Sequence, residues 1–139
     1  MNGRDFLNVA RDLIAFPTEA HRRAGVECAY YALMLEGRDA LLRWGFAPPP
    51  RDQVHAFVRL KFTFAAHRDL KFISDALEFL VRLRNQAQYQ LSTPGPFSRG
   101  TVLGTAISRA QDALAVLDGI VQDPAQQAAA IGAIRAAGS

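Results

Sequence analysis

Apolar residues in this chain recur at steps of three and four, and that spacing is the strongest constraint on what it can fold into. Between Ser98 and Val121 the seam reads Leu103, Ala106, Ala110, Ala113, Leu117, Ile120, one face of a helix of 3.6 residues per turn. No stretch alternates apolar and polar with β-branched residues, so the fold class is expected to be all-α. Helix breakers divide the pattern. A first helix from about Arg4 to Phe16 stops before Pro17, and Thr18 caps a second that reaches about Trp44. Gly45 ends that helix, and Ala47-Pro48-Pro49-Pro50 keeps the next loop extended. Asp52 is placed to cap a third helix carrying Val54, Phe57, Val58, Leu60 and Phe64, and a fourth runs from about Asp69 to Tyr89. Thr93-Pro94-Gly95-Pro96 breaks the chain before the fifth, and Asp123-Pro124, a cap followed by an N1 proline, opens an Ala-rich tail helix. The expected organisation is one bundle over residues 1–123 and a tail helix over 124–139, with no internal repeat.

At 139 residues the chain is long enough to bury a core without disulfide or metal staples. No run approaches the roughly 18 apolar residues of a membrane span, and the start Met1-Asn2-Gly3-Arg4-Asp5 lacks a signal peptide's pattern, so a cytoplasmic protein without membrane partners is expected. The single cysteine, Cys28, falls on the apolar spacing Ala24, Cys28, Tyr31, Leu35 and reads as a core residue. Neither His nor Cys shows a zinc spacing, no glycine-rich phosphate loop is present, and no metal or cofactor is expected. The basic residues are 14 Arg against 2 Lys. Arginine is the planar, bidentate donor suited to phosphate and carboxylate, although an Arg-rich, Ala-rich composition is also what a GC-rich genome produces.

The second helix is apolar on two sides. Ala24, Cys28, Tyr31, Leu35 and Leu42 form one stripe, and Val26, Tyr30, Leu33, Leu41 and Trp44 form another on the opposite face. Such a helix must be covered twice. Either it lies in the middle of the bundle, or the second stripe meets another subunit; the subunit reading makes Val26, Tyr30, Leu33, Leu41 and Trp44 the expected dimer interface.

The fourth helix ends in Val81-Arg82-Leu83-Arg84-Asn85-Gln86-Ala87-Gln88-Tyr89. Arg84 completes the seam Ile73, Leu77, Leu80, Ala87, Leu91, which places a permanent charge at an apolar face. Taking that charge out of water without partners is expensive. Two explanations stand side by side: an internal salt bridge to an acid such as Glu27 or Glu36, or snorkelling at the helix end, on the one hand, and an anion site whose ligand is a phosphate on the other.

The segment from Cys28 to Phe57, with Tyr30-Tyr31-Ala32 and a histidine, His55, after the proline loop, followed by Arg84-Asn85-x-Ala87-x-Tyr89, resembles the HEPN domain (higher eukaryotes and prokaryotes nucleotide-binding). The likeness spans roughly Phe6 to Leu91. It implies a four- to five-helix up-and-down bundle, frequently a homodimer whose Arg-bearing helices approach each other. It also implies a role in RNA or nucleotide binding, often beside a nucleotidyltransferase-like partner in a toxin–antitoxin or defence system. Carried onto this chain, the nucleotide- or RNA-binding set is Arg84, Asn85, Tyr89, Arg82 and His55.

Catalytic members of that family place a histidine after the arginine and four to six further residues, where it serves acid–base transfer in a metal-independent ribonuclease. From Arg84 those positions hold Tyr89, Gln90 and Leu91, and from Arg82 the first is Ala87. No register restores the histidine, and a phenol with a pKa of about 10 is a poor base at neutral pH. Gln88 also stands where the narrower bacterial branch has an aspartate. The expected function is therefore a nucleotide-, RNA- or partner-binding module without the ribonuclease histidine. The alternatives are a divergent ribonuclease toxin using Arg84 and Tyr89 and a structural partner protein with no nucleic-acid role. On a straight helix Asn85 and Tyr89 are expected to face away from Arg84.

Overall fold

A computed structural model describes residues 2–92 and 95–138. Those residues form six α-helices and one short 3₁₀ turn, with no strand among them: α1 (Gly3–Leu13), α2 (Glu19–Arg43), α3 (Gln53–Phe64), α4 (Arg68–Tyr89), α5 (Thr101–Gln122) and α6 (Pro124–Gly138). The all-α class is as the periodicity predicts. Thr93 and Pro94 of the predicted break lie outside the described residues, and Gly95–Ser98 form the 3₁₀ turn. None of the helices is long and apolar enough to cross a membrane.

Local chemistry explains most boundaries. Asn2 and Asp5 close a reciprocal capping box at the start of α1, and the Thr18 hydroxyl accepts from the His21 N–H to cap α2. Past the end of α2, Gly45 takes φ +94°. That left-handed turn lets the Phe46 N–H reach the Leu41 carbonyl at 2.9 Å and the Gly45 N–H reach that of Leu42 at 3.1 Å, so two orphan carbonyls are satisfied. The Asp123 carboxylate caps α6 by accepting from the Ala125 N–H at 3.0 Å. One predicted cap is absent: Asp52 has helical dihedrals and makes no capping bond to α3. His67 caps α4 instead, its Nδ1 accepting from the Leu70 N–H at 3.3 Å.

The core is built around α2, which packs against α1, α3, α4 and α5. Its position reverses the two stripes. Val26, Tyr30, Leu33, Leu41 and Trp44, expected at a dimer interface, are each no more than 5 % exposed within the single chain. On the other stripe Cys28, Tyr31 and Leu35 are only half-buried and Leu42 is 56 % exposed. The physical reason is that four neighbouring helices cover α2 on several sides, so its second stripe is satisfied inside the fold. Glycine permits the closest approach. A Cβ on Gly25 would lie 2.6 Å from Leu103 Cδ1 of α5, and a substitution there displaces a buried core residue.

The seam of α5 is buried as predicted, from Leu103 to Ile120. On α4, Ile73, Leu77, Leu80 and Ala87 are buried, while Leu91 is exposed beyond the helix end and Arg84 is half-buried. The tail helix α6 begins where the 123/124 boundary was drawn, and it packs on α5 and α3 with Ala130 and Ile134 fully buried in the same core.

These positions define a stability test. Leu33→Ala should lower the unfolding free energy by about 2–5 kcal/mol through lost burial and a residual cavity. Urea unfolding should give the same loss at every protein concentration, whereas an interface position would make the loss concentration-dependent.

Candidate functional site

Three helices bring their polar and aromatic residues to one place: Tyr30 and Tyr31 from α2, His55 from α3, and Arg84 with Asn85 from α4. Each is fixed by the apolar neighbours on its own helix. Leu33 and Val26 anchor the turns around Tyr30, Val54 and Val58 flank His55, and Leu80, Leu83 and Ala87 flank Arg84, all of them buried.

Tyr30 is 2 % exposed, and its hydroxyl lies 2.7 Å from His55 Nδ1. The two rings stack with an interplanar angle of 10° and centroids 5.7 Å apart. Tyr31 stands edge-on to both, at 5.5 Å from Tyr30 and 5.9 Å from His55, and Phe6 of α1 backs it at 6.0 Å. The Arg84 guanidinium sits over this aromatic floor, 5.6 Å from the Tyr30 centroid and 5.7 Å from that of Tyr31. Its Nη2 donates to the Tyr31 hydroxyl at 3.3 Å and its Nη1 to Asn85 Oδ1 at 3.4 Å. Both bonds are long for a charged donor. Arg84 Nε is buried with no hydrogen-bond partner.

Among the described residues no carboxylate pairs with Arg84. The two acids nominated from sequence are engaged elsewhere: Glu36 lies 3.9 Å from Arg4, and Glu27 accepts from the Gln88 amide. Gln88, where the family resemblance implied an aspartate, thus donates to Glu27 and engages that acid of α2. The internal salt bridge is absent from these residues, and what remains is a cation on aromatic faces with spare donors.

The titrating groups fit that picture. Burial pushes the Tyr30 phenol up to about 12, against the opposing pull of the Arg84 charge. Burial and then the Arg84 charge lower His55 from 6.5, with Asp52 acting weakly the other way. At neutral pH the phenol keeps its proton and the imidazole is neutral, and the two share one hydrogen bond between the Tyr30 hydroxyl and Nδ1. The cluster therefore presents the Arg84 donors beside a neutral imidazole whose Nε2 is not engaged by Tyr30. Cys28, half-buried, has its thiol pushed up by burial and by Glu27, which leaves it a weak nucleophile as well as a packing residue.

The structure thus unites Arg84, Asn85 and His55 of the predicted set and separates two others. Tyr89 is 76 % exposed at the end of α4 and does not join the cluster. Arg82 points to another face, where its Nη2 lies 3.6 Å from Glu78. Asn85 is a partial exception to the wheel: its backbone faces outward, yet the long guanidinium reaches its side chain. Sequence reasoning missed Tyr31 as a floor and, more seriously, Arg23. Among the described residues it is the one arginine buried to 9 % exposure, donating to Glu19, to the carbonyls of Gln86, Ala87 and Gln90, and lying 4.4 Å from the Phe97 centroid. The Glu19 to Arg23 spacing of four was the available signal.

No metal-binding group of three or more His, Cys, Asp or Glu occurs among the described residues. Comparison with protein-family models, with curated proteins and with solved structures gives no match in any of the three.

The lowered His55 value carries a pH dependence. Below about 6.5 the unfolded chain binds a proton that the folded site resists, so stability should fall as pH drops through and below that value. His55→Gln, which retains a hydrogen-bonding partner for Tyr30, should flatten that slope. Urea unfolding at pH 7.5, 6.5 and 5.5 for both proteins measures it, and parallel slopes would remove His55 as the source.

Proposed function

We propose that the protein is a HEPN-like helical module that binds a phosphate-bearing ligand, a nucleotide or RNA, at the Arg84 cluster, and that the ribonuclease histidine of the catalytic family members is missing from its usual place. The observation that carries this reading is the Arg84 guanidinium, half-buried, seated on Tyr30 and Tyr31, with its Nε unpartnered and no carboxylate beside it. A permanent charge in such a setting is completed by an anion. The same observation disfavours a purely structural role, because that role required an internal acid. Homodimerisation, a nucleotidyltransferase-like partner, a toxin–antitoxin or defence context and a cytoplasmic location enter the proposal from the family resemblance. The second stripe of α2 no longer argues for a dimer, since it is buried in the chain itself.

One observation favours a second reading, a divergent ribonuclease. His55 comes from a different helix than the family's motif, yet it stands in the same cluster as Arg84. In that reading His55, rather than Tyr89, serves as the base. RNA cleavage lost in both Arg84→Ala and His55→Ala would carry it; absence of cleavage in the wild type leaves the binding reading alone.

Thermal melts test the binding reading. Inorganic phosphate, AMP and a short single-stranded RNA should each raise the wild-type midpoint, since a ligand present at 100 times its Kd adds about 2.7 kcal/mol to a folded state it binds exclusively. Arg84→Met, which keeps much of the apolar stem, should lose that gain while melting at or above the wild type without ligand. An equal gain in Arg84→Met, or none in the wild type with any of the three ligands, would overturn the proposal.

A further inference from the structure

Lys61, a cation with no carboxylate partner among the described residues, lies on the far side of α3. That helix, like α2, is apolar on two faces. Val54, Val58 and Phe62 are buried against the bundle, whereas Phe57, Leu60 and Phe64, spaced at three and four, form a second face toward α6. The cover is incomplete for a reason legible in the sequence of the tail, Ile134-Arg135-Ala136-Ala137-Gly138. Opposite the bulky residues of α3 it offers Ala and Gly, which bring backbone close but fill no space. A crevice of about 250 Å³ is left between the two helices, lined by Phe57, Leu60, Phe64, Ile134, Ala137 and, as its one charged residue, Lys61. Leu60 and Phe64 remain 40 % and 66 % exposed at its lip.

Lys61 is half-buried here. Its ammonium lies 5.5 Å from the Phe46 centroid and 5.6 Å from that of Phe57, and among the described residues no carboxylate pairs with it. Aromatic faces attract a cation but do not neutralise it. An apolar cavity carrying one oriented charge is the usual form of a small-molecule site, and the volume limits the occupant to a small molecule.

We propose that the α3–α6 crevice binds a small apolar monocarboxylate, its hydrocarbon or aromatic body lying among Phe57, Leu60, Phe64, Ile134 and Ala137 and its carboxylate paired with the Lys61 ammonium. The charge requirement follows from Lys61, and the apolar body from the rest of the lining. The site is independent of the Arg84 cluster, which faces α2 and α4.

Isothermal titration of the full chain with octanoate, and with octan-1-ol as its uncharged counterpart, tests this. Octanoate should bind one per chain and about fivefold more tightly than the alcohol, near the upper end of what a partly exposed ion pair supplies. Lys61→Met should bring the two affinities together by weakening octanoate alone. Ala137→Phe, which fills the crevice, should abolish binding of both, and Leu60→Ser, on the exposed lip, should weaken both if the filled variant does not fold. Arg84→Met should bind octanoate as the wild type does. Equal affinity for octanoate and octanol in the wild type, a Lys61→Met that keeps the preference, or no saturable binding of either ligand would overturn the proposal.

Discussion

The Gln86 carbonyl accepts the Gln90 N–H at 3.1 Å, but α4 carries no basic residue in its final turn, and an arginine from α2 meets its terminal carbonyls. Arg23 donates to the carbonyls of Gln86 at 3.0 Å, Ala87 at 2.9 Å and Gln90 at 3.2 Å, while Glu19 balances its charge at 2.7 Å. Phe97 of the 3₁₀ turn closes over the guanidinium. Hydrogen bonds from charged donors contribute about 1.5–3 kcal/mol each, and several converge on one side chain here. This contact fixes the end of α4 against the start of α2. The register it sets brings Arg84, less than one turn before Gln86, over Tyr31 two turns along α2. The clamp adds to the apolar packing of α2 on α4 that holds the guanidinium over the aromatic floor.

Arg23 and Arg84 show how differently one residue type can be used in the same helix pair. Arg23 is deeply buried and fully answered, by an acid, three carbonyls and a ring, and its role is to tie elements together. Arg84 is less buried and poorly answered, by a phenol and an amide at long distance and by two ring faces. Each ring face supplies about 0.5–1 kcal/mol at a partly exposed site, less than a carboxylate or phosphate in bidentate contact would. Depth of burial alone would have singled out Arg23 over Arg84. What separates them is the state of their donors.

Local signals made the helical class and most of the boundaries legible. The α5 seam, the Thr18 and Asp123 caps and the Gly45 stop all depend on residues within a few positions of each other, and each appears where the sequence placed it. The anomaly at Arg84 was legible for the same reason, because its register on α4 can be counted. Its partners were not, since Tyr31 and His55 reach it from other helices and no local spacing encodes that meeting. The two stripes of α2 were visible as stripes, but their assignment depended on how many helices surround α2. The 3₁₀ turn joins four helices in that surround, and the choice between interior and interface could be made only once their positions were known. Asp52 failed as a cap because Arg51, at φ +60°, turns the chain so that Asp52 already lies in helical dihedrals and its side chain cannot reach back.

Helix α3 links the two polar sites, and its geometry explains why they are separate. His55 and Lys61 are six positions apart, which turns a helix by about 240°, so the two side chains leave on different faces. Between those faces lies the row Val54, Val58 and Phe62, buried against α2 and α4. That row locks the rotation of α3, and in doing so it directs His55 toward Tyr30 and Arg84 while leaving Lys61 toward α6. A change of core volume in the row, at Phe62 for instance, rotates or shifts both neighbours together, because a packed interior transmits displacement rather than absorbing it. The two places differ in chemistry, one a guanidinium and an imidazole on an aromatic floor and the other an ammonium in an apolar crevice, yet the same three buried side chains position both.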